Sequence, residues 1–196
     1  MSITQKLGKL SMWQQFAFSA ALLERMLPNY QMFSVSCEFG DESLLRNQLN
    51  LIWQKLDKSQ KVKINYDAQL AKLEPLVPDP EMFDSFGVYP ALDCTMAMMS
   101  LLQAMQDNDD QGAQSVARLS QNSVSFYVEL MLAQETDEDV EQSMIDNHPL
   151  MQWEIDTQHE LFEVLVNAKE NKETLLKIRT LVTEEGLSNL GIELVD

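Results

Sequence analysis

Glycine and proline are scarce in this chain, six of each in 196 residues, and that scarcity narrows the architecture at once. Strand-rich folds need turn residues at short intervals, and the alternating runs that mark half-buried strands are missing too. Cysteine is rarer still. Cys37 and Cys94 sit apart in apolar helical patterns with no CxxC or other ligand spacing, which excludes a disulfide framework and suits buried thiols of a reducing compartment. Two histidines leave little room for a Ser-His-Asp or Cys-His nucleophile, and there is no Gly-rich phosphate loop. No apolar run reaches the roughly 20 residues of a membrane span. The first residues carry Lys6 and Lys9 without an apolar core, so no signal peptide is expected and the expected compartment is the cytoplasm.

Cationic residues are also in short supply. Fourteen Lys and Arg face 31 Asp and Glu, for a net charge of −17. Residues 1–98 hold eleven acids against nine bases, whereas residues 99–196 hold twenty against five. Between Arg118 and Lys169 there is no Lys or Arg at all, while eleven acids occur. A surface so charged repels phosphate backbones and anionic lipid heads, so neither nucleic acid nor membrane is an expected partner. Lys55, Lys58, Lys61 and Lys63 form the one basic cluster. It reads as a solvated helix end, or else as a dock for the chain's own acidic half or that of a second copy.

What the chain has in quantity is helical periodicity. Ile3, Leu7, Leu10, Trp13, Phe16, Ala17, Ala20 and Leu23 recur at three- and four-residue steps and predict one helix, bent at Gly8 and ending before Pro28. A shorter helix with Tyr30, Phe33 and Cys37 follows, stopped by Gly40. Asp41 caps the next, with Glu42 and Arg46 paired i,i+4. Asn65 and Asp79-Pro80 open two short ones. Pro90 then starts a helix whose apolar residues, from Leu92 to Met105, fall on every side, which requires neighbours all round. Beyond a turn at Asp107–Gly112 come a helix with Val116, Phe126 and Leu130, a short one capped by Thr136, a long one opened by His148-Pro149, and a last one stopping at Gly186. The expected fold is all-α: a single domain over residues 1–196, an irregular array of eight or nine helices packed around a buried central helix, with 187–196 as a loosely held tail.

Few residues offer chemistry. Asp107–Gly112 imitates a calcium loop, but its twelfth position is Arg118 where a bidentate Glu belongs. Asp156, His159 and Glu163 are spaced so that all three share one side of a helix. His148 stands where its ring can meet the free N–H groups of a first turn, or serve as an acid–base group at a cleft mouth. Asp93, one turn into the apolar helix, must be paired if buried, with Arg25, Arg46 or Arg118 as partners, or else it faces outward near the positive helix end. The twelve methionines read as core filling or as an adaptable groove.

Leu23-Glu-Arg-Met-Leu-Pro-Asn-Tyr30, Val88-Tyr-Pro-Ala-Leu-Asp93, Arg118-Leu-Ser-Gln121 and His148-Pro-Leu-Met-Gln-Trp-Glu154 together resemble segments of the YjaG-like family, uncharacterised all-helical bacterial proteins of about this length. The resemblance spans nearly the whole chain. It implies a single helical domain and carries no catalytic residue and no cofactor. The residues themselves point to a non-enzymatic cytoplasmic binding protein whose acidic C-terminal half meets a protein partner or a second copy. The alternative is a metal- or small-molecule-binding enzyme whose pocket gathers Asp93, His148, Asp156, His159 and Glu163. No cofactor is expected.

Overall fold

The computed structural model describes residues 2–135 and 139–193. Among these are nine α-helices and no strand: α1 Ile3–Leu7, α2 Met12–Cys37, α3 Glu42–Leu56, α4 Tyr66–Leu73, α5 Val88–Asp107, α6 Gly112–Glu135, α7 Gln142–Asp146, α8 Pro149–Val166 and α9 Lys172–Thr183, with 3₁₀ turns at Glu74–Leu76 and Pro80–Met82. The all-α expectation holds. No helix among the described residues is long and apolar enough to cross a membrane. The cap expected at Thr136 lies outside the described residues.

The N-terminal expectation needs correcting at both ends. Gly8 does not bend one helix; it closes α1, and Ser11 opens α2 afresh. Ser11 Oγ accepts from the Gln14 amide at 3.2 Å and Gln14 Oε1 accepts from the Ser11 amide at 2.8 Å, a reciprocal cap that starts the helix firmly. Nor does Pro28 stop it: α2 continues to Cys37 with Pro28 inside. A proline there removes one helical hydrogen bond and crowds the preceding turn, at a cost of about 3 kcal/mol. Against this stands burial of every residue from Ala17 to Tyr30, where each large apolar side chain contributes about 1.5–3 kcal/mol. Tertiary packing overrides the local breaker.

A buried central helix is present, and two elements share the role. α2 is enclosed by α3, α5, α6, α8 and α9, and α5 lies along it between α4 and α6. Ala91, Cys94, Met98, Leu101 and Leu102 of α5 are fully buried, while Tyr89 and Met96 reach the surface. α2 ends where Glu38 turns left-handed and Gly40 adopts φ +76°. The Tyr30 hydroxyl stands 2.0 Å from where a Cβ on Gly40 would lie, so only glycine fits that turn. Gly112 serves α6 in a similar way: a Cβ there would lie 2.2 Å from that of Ala104, and its absence lets α6 fold back tightly on α5.

Several surface expectations also resolve. Asp41, Asn65 and Asp79 cap their helices as expected. Arg46 does not pair with Glu42; it reaches across to Glu24 of α2 at 2.8 Å. Of the basic cluster, Lys58 does dock on the acidic half, meeting Glu170 at 2.5 Å. Residues 187–196 were expected to be a loose tail; 194–196 lie outside the described residues, but Ser188, Asn189 and Leu190 are buried. A single bridge between Leu187 and Glu193 closes this segment into a strap, and the Asn189 amide donates to the Arg25 carbonyl at 3.0 Å. Backbone donors left unpaired in a buried turn are costly, and α2 supplies the acceptor.

Candidate functional site

From Ala17 to Tyr30, α2 is buried on all sides, yet this stretch carries adjacent charges, Glu24 and Arg25, each almost wholly out of contact with water. Neighbouring helical residues point about 100° apart, so the two charges feed separate polar clusters.

Arg25 faces α8. Its guanidinium donates to Glu154 Oε2 and lies 4.3 Å from the Trp153 ring centroid. The other carboxylate oxygen, Glu154 Oε1, accepts from Ser120 Oγ at 2.5 Å and Gln158 Nε2 at 2.7 Å. Gln158 in turn donates to the Ala117 carbonyl and accepts from Gln121. Asn189 of the strap donates to Ser120 and accepts from Asn29 Nδ2 at 2.7 Å. Thus α2, α6, α8 and the strap meet at one ion pair. Charges this deep persist only when paired and hydrogen-bonded, and nearly every polar atom here is engaged. Arg25 Nη2 and Asn29 Oδ1 are the exceptions.

Glu24 faces α3 and α9 instead. Its carboxylate accepts from Trp53 Nε1 at 2.8 Å and meets Arg46 at 2.8 Å and Arg179 at 3.0 Å. Both arginines are partly exposed, so this cluster opens to water where the first does not. Beside Arg179 lies a shallow hollow of about 260 Å³ bordered by Trp53, Asp57, Lys172 and Leu175.

None of these clusters uses the residues expected from spacing. His148 begins α8, and its Nδ1 accepts from the Leu150 amide at 3.2 Å. Asp156, His159 and Glu163 do share a side of α8. Lys6 of α1 occupies that side, 3.3 Å from His159 Nδ1 and 3.5 Å from Glu163. His148 and His159 are eleven positions apart on one helix, roughly 16 Å at 1.5 Å per residue. Asp93 is on α5, against α6. It takes none of the three expected arginines: Arg25 and Arg46 are spent on Glu154 and Glu24, and Arg118 is exposed. Its partner is the Ser123 hydroxyl, which donates at 2.9 Å. The five residues therefore do not converge, and among the described residues no three His, Cys, Asp or Glu side chains stand close enough to hold a metal. The buried network was missed because Arg25 and Glu154 are 129 positions apart. One signal was available: a charged pair inside an otherwise apolar helix must find partners, and Glu24-Arg25 is such a pair.

Two outcomes follow. Glu154→Leu should destabilise the fold by about 3–5 kcal/mol, since it strands the Arg25 charge, whereas Arg25→Met combined with Glu154→Leu should cost less than the single change; urea titration of the three proteins checks this, and a double variant less stable than Glu154→Leu would contradict it. Desolvation pushes the Asp93 carboxyl up to about 6, partly offset by the Ser123 hydrogen bond. Because the folded state holds the proton more tightly than the unfolded one, this stability is full at acid pH and is lost as pH rises through 6. Asp93→Asn, which keeps the acceptor for Ser123, should then stabilise the protein by about 1 kcal/mol at pH 8, the two-unit shift being discounted for partial solvent access. The gain should vanish near pH 4 in thermal melts.

Residues 2–193 match the family described as "Protein of unknown function (DUF416)". An "Uncharacterized protein YjaG" from Salmonella typhimurium and another from Escherichia coli K12 are each 35% identical over 188 residues, 95% of this chain and 94% of theirs. An "Uncharacterized protein" from Haemophilus influenzae is 35% identical over 194 residues, 97% of this chain and 96% of its own. The crystal structure of a DUF416 family protein from Shewanella baltica is similar to this fold with a TM-score of 0.87 at 34% identity, covering 99% of this chain and 100% of that one. The YjaG-like resemblance read from the four segments thus holds over almost the full length, and this chain belongs to the DUF416 family.

Proposed function

We propose that this is a non-enzymatic binding protein of the cytoplasm that meets a basic protein partner through the acidic surface of α6, α7 and α8. One observation supports the reading above others. Of the eleven acids between Arg118 and Lys169, Glu154 points inward and is neutralised by Arg25. Asp137 and Glu138 lie outside the described residues, and the remaining eight are all exposed. They run from Glu129 at the end of α6 through Glu141 and Asp146 around α7 to Asp156, Glu160 and Glu163 along α8. No base within the stretch offsets them; Lys6 of α1 approaches only Glu163. An uncompensated field of one sign steers oppositely charged partners and rejects like-charged ones.

The enzyme alternative asked for a pocket built from Asp93, His148, Asp156, His159 and Glu163. It has less support, because those side chains are spread over two helices and the length of α8. Pull-downs on immobilised protein provide the test. Captured partners should be net basic and should be lost between roughly 0.1 M and 1 M salt, as the screening length falls from about 10 Å to 3 Å. Retention indifferent to salt would contradict the acidic-surface reading.

A further inference from the structure

We infer that an apolar face formed by the C-terminal half of α2, the start of α5 and the middle of α6 seats a basic amphipathic helix of the partner protein. The inference rests on the acidic-surface reading and gives that partner a chemistry.

The face is made of side chains that a folded chain ordinarily hides. Val35 is 68% exposed, Met32 45%, Tyr89 42% and Phe126 37%. They are not scattered. Phe126 stacks on Phe86 at 5.3 Å between ring centroids and meets Tyr89 at 4.5 Å, so α5 and α6 present one aromatic edge. Between this edge and α2 lies a hollow of about 300 Å³, bordered by Met32, Phe86, Pro90, Tyr127 and Ile192. A second, of about 210 Å³, adjoins it along Pro28, Met32 and Val35, and the two share Met32, Ser36 and Ile192. Contiguous exposed apolar surface of this kind marks an interaction site. Two small open dents in a row suit successive side chains of one helix, spaced three or four residues apart, better than a single enclosed ligand. Asn29 borders the larger hollow, and its buried Oδ1 has no hydrogen-bond partner.

Charge selects the occupant. Every segment that frames the face comes from a stretch without Lys or Arg: residues 26–45, 73–117, 119–168 and 180–196. Nearest along the chain to its exposed side chains, the charges are acids. Glu38 lies three residues past Val35, Asp84 two before Phe86, Asp93 four past Tyr89 and Glu129 three past Phe126, and Glu193 borders the smaller hollow. A second copy of this chain would set the same acids against each other, and nucleic acid or an anionic lipid surface would be repelled likewise. A helix with Leu or Trp along one side and Lys or Arg flanking it satisfies both the hollows and the rim.

A fluorescently labelled peptide of about 18 residues, five helical turns of Leu and Lys at helical spacing with one Trp, is the probe. Its control replaces each Leu and the Trp by Ser at equal charge. By anisotropy at about 0.1 M salt, the amphipathic peptide should bind roughly tenfold or more tighter than the control. Val35→Ser with Phe126→Ser, both exposed positions, should erase that margin while circular dichroism stays unchanged. Glu129→Gln with Glu193→Gln should weaken both peptides. If both peptides bind equally, or the Ser variant binds like the parent while salt still weakens binding, this face is not the seat and the acidic-surface reading survives alone. If neither peptide binds, both readings fall. Self-association by sedimentation that the Ser variant abolishes would assign the face to a second copy and overturn the inference.

Discussion

A guanidinium buried beside an indole ring, with one carboxylate to neutralise it, is the constraint around which the rest of this molecule is arranged. Arg25 cannot leave α2 for solvent without unpacking the most enclosed helix in the fold, and Glu154 is equally committed on α8. Hydrophobic packing between these helices is tolerant of small slides; a buried charge pair is not. A shift by one turn would separate the partners by about 5 Å and leave two unpaired charges in a low-dielectric core. The pair therefore specifies the register of α8 on α2 more than it adds net stability, a role in keeping with the large cost of burying charges at all. Ser120 extends the same specification to α6, and Asn189 extends it to the strap.

Much of the architecture was legible in the sequence because helical periodicity is local information. The caps at Asp41, Asn65 and Asp79 lie within three residues of the amides they satisfy, so the same signals that start a helix can be read along the chain. Pro28 misled for the converse reason. Its penalty is local, but the burial that overcomes it depends on five other helices. The strap after Gly186 misled as well, since nothing within it is strongly apolar apart from Leu187, Leu190 and Ile192, and its anchoring hydrogen bonds join it to Arg25, Asn29 and Ser120 far away in the chain.

The candidate site was less legible still. Spacing on α8 correctly placed Asp156, His159 and Glu163 on one side, but could not show that Lys6 of α1 would share it. Asp93 was recognised as a carboxylate in an apolar helix; its hydroxyl partner on α6 was not foreseen because serine carries no charge signal. Three of the four segments that resemble the YjaG-like family hold Glu24, Arg25, Asn29, Ser120, Gln121, Trp153 and Glu154, members of the two clusters that meet around α2. Polar capacity spent inward in this way leaves the exterior with two unsatisfied features, a field of acids and an apolar face, and both are features a partner can answer.

The ion-paired centre makes α2, α8 and the strap one cooperative unit, and amide hydrogen exchange on the unmodified protein measures that most directly. The Asn189 amide, held by the Arg25 carbonyl at 3.0 Å, should exchange only through global unfolding, with the same protection as the amides of Leu22 to Met26 in α2. An Asn189 amide that exchanges orders of magnitude faster than those of α2 would mean that the strap opens on its own, and the buried pair would not be the hub described here.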